Sequence, residues 1–291
     1  MITEVRVRTI SVPERRRAMV RRHHLAGDAS GPEAATRAMI ALHATDPASV
    51  YLSVLARSAA STLADVAEAM YGRRHLVRWM AMRRTLFVFR RQDIPMIQAA
   101  VSTPLAATLR TRLVRQLERN GTEPPIDGDV PVWLDRLAAR AERALDQRGT
   151  ATGAELSRDE PGLATSILVR APSDRPQNVT ASLLTLMSAQ GRIVRGTPTG
   201  AWTSRHHRWE PAGRWWPDGL PTPDPGEAQQ ALARRWLARF GPATAEDLQW
   251  WTGWNKTTTH RALSHLPVTE IDLHGRPGII LTELDDEPGD A

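Results

Sequence analysis

The sequence contains no cysteine, one lysine, two tyrosines and three phenylalanines. Without cysteine there are no disulfides, thiol nucleophiles, iron–sulfur clusters or Cys-type zinc fingers, and nothing suggests an oxidising compartment. None of the apolar runs approaches the roughly 20 residues needed to cross a bilayer. The N-terminus, Met1-Ile-Thr-Glu-Val-Arg6, lacks the basic-then-apolar order of a signal peptide. These features predict a cytoplasmic protein with no membrane partner. Neither a phosphate-cradling Gly-rich loop nor a Gly-x-Ser-x-Gly elbow occurs, so nucleotide hydrolysis and esterase chemistry have no support.

What is present is ordinary globular material: 291 residues, 41% hydrophobic and 24% charged, enough for two or three small cores. Lys256 is the only lysine among 38 basic residues, which leaves 37 arginines. High-GC coding alone can produce that bias, but the distribution carries more. Residues 1–120 hold 20 arginines against 9 acids (+11), whereas 121–291 hold 18 basic residues against 23 acids (−5). A field polarised along the chain fits an N-terminal part facing a polyanion; the plainer account is a solvated arginine-rich surface.

Apolar periodicity predicts helices over about 14–25, 32–42, 63–72, 93–119, 131–148, 179–190, 227–240, 244–253 and 256–265. Strand candidates are Leu86–Phe89, Arg192–Arg195 with Ala201–Ser204, and Val268–Asp272 with Ile279–Thr282. An internal repeat organises them. Gly149-Thr-Ala-Thr-Gly-Ala-Glu-Leu156 matches Gly241-Pro-Ala-Thr-Ala-Glu-Asp-Leu248, each closing one helix and opening the next through Thr152 or Thr244 as N-cap. Helix, helix, third helix and two-stranded wing is the winged-helix plan, and residues 14–90 can be read the same way, with Leu76–Phe89 as the wing. The expected fold is therefore mainly α with small β-hairpin wings (α+β), a tandem of three winged helices. Its units would be 1–92, 93–215 and 227–284, with a Pro-rich linker over 216–226 and an acidic tail over 285–291.

Between two apolar runs, His43, Thr45 and Asp46 cluster where a helix stops. If the stretch is extended, alternation puts His43 and Thr45 on one side and turns Ala44 toward the core, and Asp46-Pro47 starts a turn. Alternatively, His43 ends a helix and Asp46 caps the next one.

Four segments together resemble the winged-helix DNA glycosylases of the AlkZ/YcaQ family. They are Leu42-His-Ala-Thr-Asp-Pro47 with Tyr51–Arg57, Met82–Phe89, Gly200–Trp209, and Gly241–Gly253. The resemblance implies tandem winged helices, excision of alkylated bases, and in some members protection of antibiotic producers from their own DNA-alkylating products. It also places the catalytic motif at His43-Ala44-Thr45, where many members carry Gln-x-Gln or Gln-x-Asp before Asp-Pro. Thr45 cannot replace a carboxylate as base, so the mechanism does not carry over unchanged. Family members continue past the point where this chain ends, which implies a shortened form or a piece of a longer chain.

A cationic N7-alkylguanine or N3-alkyladenine already has a weakened glycosidic bond, so the remaining task lies at the sugar. One group must accept a proton or hydrogen bond and another must orient water at C1′. His43 and Thr45 suit these jobs, and Asp46 could align His43 or stabilise developing positive charge. With no lysine in the motif, Schiff-base lyase chemistry is not expected.

Further DNA contacts are expected from Trp202, Arg205, His206, His207 and Arg208, a basic strand end framed by tryptophans and suited to a minor groove. The alternative is a surface strand whose tryptophans pack under the linker near Trp215 and Trp216. Arg83 and Arg84 could grip phosphate or form an exposed charge pair. Lys256, at the hydroxyl-rich start of a recognition-type helix, could touch phosphate, although the acidity of that half favours a structural role. Trp250, Trp251 and Trp254 are expected in the core.

The histidine pairs lack zinc-site spacing, so no metal and no cofactor are expected. The predicted function is a monomeric, nucleoid-associated, monofunctional glycosylase acting on double-stranded DNA that carries alkylated purines, bulky natural-product adducts above all. Its rivals are a non-catalytic winged-helix regulator or lesion-shielding factor, and a protein-interaction scaffold.

Overall fold

The computed structural model describes residues 8–169 and 177–285. Among these the chain is mainly helical, with short strands in four small sheets. The tail beyond Asp285 lies outside the described residues.

One order of elements recurs in three stretches. In the first, helix Pro32–Met39 leads to strand Leu42–His43, helix Pro47–Leu55, helix Leu63–Ala67 with a wider turn to Gly72, and the hairpin Leu76–Met80 with Leu86–Arg90. In the second, helix Val130–Arg148 is followed by Ala151 bridging Trp209, helix Gly153–Asp159, helix Val179–Ala189, and the hairpin Ile193–Pro198 with His207–Pro211. The third runs from helix Pro225–Phe240 through Ala243 bridging Ile279, helices Ala245–Thr252 and Lys256–Ser264, to the hairpin Val268–Asp272 with Pro277–Leu281. In every case the segment after the first helix pairs with the second hairpin strand and then enters an N-capped helix. Thr152 and Thr244 make reciprocal caps with Glu155 and Asp247, and Asp46 accepts from Ala48.

Local reading of the sequence missed several boundaries. The helix expected over 32–42 stops at Met39 because Ile40 takes φ 63°, a conformation costly for a β-branched residue that no helix can contain. The turn expected after Asp46 is instead helix Pro47–Leu55, with proline in its first turn and Asp46 as cap. The segment 93–119 is interrupted by a wide turn at Gln98–Ser102. The middle hairpin closes on His207–Pro211 rather than Ala201–Ser204, which forms its tip: Trp209, 4% exposed, anchors the returning strand. Pro225 already belongs to a helix, so the linker ends sooner than expected.

The first stretch's sheet separates two hydrophobic clusters. Leu42, Ala44, Leu76, Met80, Leu86 and Val88 face a cluster built with helices Thr103–Asn120, Val130–Arg148 and Val179–Ala189. Val77, Trp79, Phe87 and Phe89 face another built with helices Pro225–Phe240 and Lys256–Ser264. Both sides of this sheet are dry, which is why its strands are nearly continuous in apolar residues. Leu42–His43 forms one edge of this sheet, with Leu42 buried and His43 exposed.

Candidate functional site

The motif is an extension of the edge strand. Leu42 and His43 pair with Val88 and Phe87, and the Ala44 amide donates to Leu86 O at 2.8 Å. The Ala44 carbonyl accepts from Nη2 of Arg78 at 2.9 Å, and Arg78 is 3% exposed. Ala44 itself is fully buried, so strand alternation turns His43 and Thr45 outward together. Thr45 Oγ1 and His43 Nε2 stand 3.4 Å apart, both side chains exposed. The His43 ring meets Phe87 edge-on, centroids 5.4 Å apart, which fixes its plane. The imidazole and the hydroxyl can thus share one water above a rigid, apolar floor.

Asp46 serves elsewhere. One of its oxygens accepts from the Ala48 amide at 3.1 Å and the other from Nη2 of Arg205 at 3.1 Å. The Arg205 hydrogen bond foremost, then the Ala48 amide, holds its carboxyl below the usual range. Asp46 makes no hydrogen bond to His43. Beside it, Trp202 packs on Tyr51 with ring centroids 5.2 Å apart. The tip of the middle hairpin is therefore docked on the helix that begins at Asp46.

The structure brings His43, Thr45, Asp46, Trp202 and Arg205 together, with His206 exposed next to them. It turns two predicted DNA contacts inward. Arg208 pairs with Glu155 at 2.9 Å and donates to Thr150. His207 meets Trp209 edge-on at 4.8 Å and Nη1 of Arg195 at 3.2 Å, and burial, then Arg195, pushes its imidazole down to about 4.

In the turn that joins the two strands of the hairpin, Arg83 lies over the Trp250 ring at 4.3 Å and donates to Trp250 O at 2.9 Å. Arg84 is exposed, and Lys256 opens its helix exposed. Trp250 corrects the expectation of a core tryptophan: it is 69% exposed, while Trp251 and Trp254 are partly buried. An indole on a short, solvent-facing helix can be covered by a guanidinium instead of a core, and helical period alone does not tell the two apart.

Sequence reasoning missed Arg78, Tyr51 and Arg195. Arg78 had a signal, a charge inside the otherwise apolar run Leu76-Val-Arg-Trp-Met80. Tyr51 heads one of the resembling segments but its contact with Trp202 was not legible there, and Arg195 had no signal, since in both cases the partner lies on another element. Among the described residues no group of three or more histidines and acids is placed to hold a metal ion.

A family model described as DNA glycosylase AlkZ-like matches residues 36–291. A curated relative, an interstrand DNA cross-link repair glycosylase of Streptomyces sahachiroi, is 26% identical over 169 residues. That match covers 55% of this chain and 43% of the relative, less than half of its length. Among solved structures, Streptomyces sahachiroi DNA glycosylase AlkZ has the same fold, with a TM-score of 0.70 at 19% identity over 96% of this chain and 72% of that one.

Proposed function

This chain belongs to the AlkZ-like DNA glycosylase family, and from that premise we propose that it is a monofunctional glycosylase for cationic alkylpurines in duplex DNA. The observation that carries this reading is the pair His43 Nε2 and Thr45 Oγ1, 3.4 Å apart and exposed on an immobilised strand beside a basic hairpin tip. In an N7-alkylguanine or N3-alkyladenine the purine leaves without protonation, so the protein acts at the sugar. His43 accepts the proton of a water that Thr45 helps to orient at C1′, and Asp46 places negative charge near the developing oxocarbenium ion. The base departs neutral and the proton rests on the imidazole. The only lysine, Lys256, starts a helix of the third stretch, which supports hydrolysis without a lyase step.

The hairpin tip, with Trp202, Arg205 and His206, would lie on the minor groove; Arg83, Arg84 and Lys256 extend the same cationic edge, and His207 and Arg208 stiffen the hairpin from beneath. The exposure of His43 and Thr45 favours bulky adducts held in an open cleft, attacked without full extrusion of the nucleotide. Against such a substrate the protein would serve self-resistance in the cytoplasm, acting as a monomer.

The test is incubation of the full chain with duplex DNA alkylated at guanine N7. Mass spectrometry should detect free adducted base together with an alkali-labile abasic site. Saturable binding with no base released would instead identify a non-catalytic DNA-binding protein.

A further inference from the structure

Away from the motif, four guanidinium groups converge on a cleft of about 210 Å³ between the first and third stretches. Arg37 comes from helix Pro32–Met39, Arg90 from the end of a sheet strand, and Arg235 and Arg239 from successive turns of helix Pro225–Phe240. One carboxylate faces them. Asp93, 3% exposed, accepts from Arg90 at 2.8 and 3.1 Å and from Arg235 at 2.6 Å. Four positive charges against one negative leave +3 in the lining. The Arg37 and Arg239 side chains have no hydrogen-bond or ion-pair partner among the described residues.

Structural needs account for part of this arrangement: the buried Asp93 holds Arg90 and Arg235, and the C-terminal end of a helix favours one cation, which suits Arg239. They leave Arg37 with no opposite charge of its own in the lining, and Arg239 repeats the charge of Arg235 at i and i+4. Arg239 is held below the usual arginine value by burial first and then by Arg37, Arg22 and Arg90, all of its own sign. Ile40, kept at φ 63°, forms part of the wall. Backbone held in so sparsely populated a region is characteristic of ligand clamps.

We propose that this cleft binds a phosphoryl anion, seated among Arg37, Arg90, Arg235 and Arg239 and supplied either by the DNA backbone or by a free phosphate. Guanidinium forks match phosphate oxygens bidentately, and burial of the floor strengthens each contact. The site is separate from His43 and stands whether or not the chain cleaves glycosidic bonds.

The experiment compares the full chain with Arg37→Gln/Arg239→Gln by thermal unfolding in chloride and in inorganic pyrophosphate at equal ionic strength. Pyrophosphate should raise the Tm of the wild type and leave that of the double variant unmoved. In chloride the double variant should melt no lower than the wild type, because repulsion is relieved. Arg37→Gln alone, at an exposed and unpaired position, should lose most of the pyrophosphate effect and guards against misfolding of the double variant. DNA affinity across a salt series then identifies the source. A slope of log K against log salt flattened by about one unit in the double variant assigns the phosphate to the DNA backbone, and an unchanged slope assigns it to a free anion. The proposal is overturned if pyrophosphate stabilises the wild type no more than chloride does, or stabilises the variants equally. Base release is not a readout here, so failure of the glycosylase reading remains distinguishable.

Discussion

Arg205 and Asp46, 159 positions apart in the chain, are joined by a hydrogen bond of 3.1 Å between Nη2 and Oδ2. Asp46 also caps helix Pro47–Leu55, so a single carboxylate ties the start of that helix to the hairpin tip. Both groups are substantially exposed, with side-chain exposures of 78% and 45%. The pair therefore organises the site more than it stabilises the fold. Arg205→Ala should leave the Tm nearly unchanged, raise the KM for alkylated duplex and let the Asp46 carboxyl return toward its ordinary value. Because its pKa is depressed in the folded protein, the charged form is retained above that value and lost as pH falls. The midpoint of the Asp46 carboxyl should accordingly move to higher pH in the variant. An NMR titration of that carboxyl measures this, and an unmoved midpoint would show that Arg205 does not hold it.

For the imidazole and hydroxyl the expected effects differ in size. His43→Ala should reduce single-turnover base release by about 10²–10⁴-fold, the usual worth of a general base. Thr45→Val, which keeps the shape of the side chain, should cost up to about tenfold, equivalent to one net hydrogen bond. Equal release by His43→Ala and wild type would falsify the catalytic assignment.

His207 gives a pH dependence of stability. Its value of about 4 in the folded protein lies below the ordinary 6.5, so the unfolded chain binds the extra proton first. Stability is therefore complete above pH 6.5 and declines as pH falls toward 4. After allowance for partial solvent exposure this is on the order of 1–2 kcal/mol. His207→Asn, whose amide oxygen can replace Nδ1 as acceptor from Arg195, should lose less stability than the wild type between pH 7.5 and 4.5. Urea midpoints at the two pH values provide the comparison, and parallel losses in both proteins would exclude His207 as the source.

Arg83 over Trp250 links the turn of the first sheet to a helix of the third stretch. Arg83 and Arg84 both have positive φ, so this turn is held by its contacts rather than by local preference. Trp250→Ala should cost about 0.5–1 kcal/mol, the value of an exposed cation–π contact. A much larger loss in denaturant midpoint would indicate that the indole packs more deeply than its exposure implies.

Local physics made much of this molecule legible in its sequence. Thr152 and Thr244 announced their caps, and the matching octapeptides announced a repeated unit, because caps and helical periods depend on neighbours within a turn. The motif was legible in part: alternation along His43-Ala44-Thr45 gave the shared outward face, and Asp46-Pro47 contained a helix start that the strand reading passed over. The fate of the 37 arginines was beyond local reasoning. Tertiary structure buried Arg78 behind the motif, paired Arg208 with Glu155, laid Arg83 on Trp250, aimed Arg205 at Asp46, and left Arg37 and Arg239 facing like charges. A guanidinium is the same donor at every position, and only the partners and the water that folding removes from around it decide what it does.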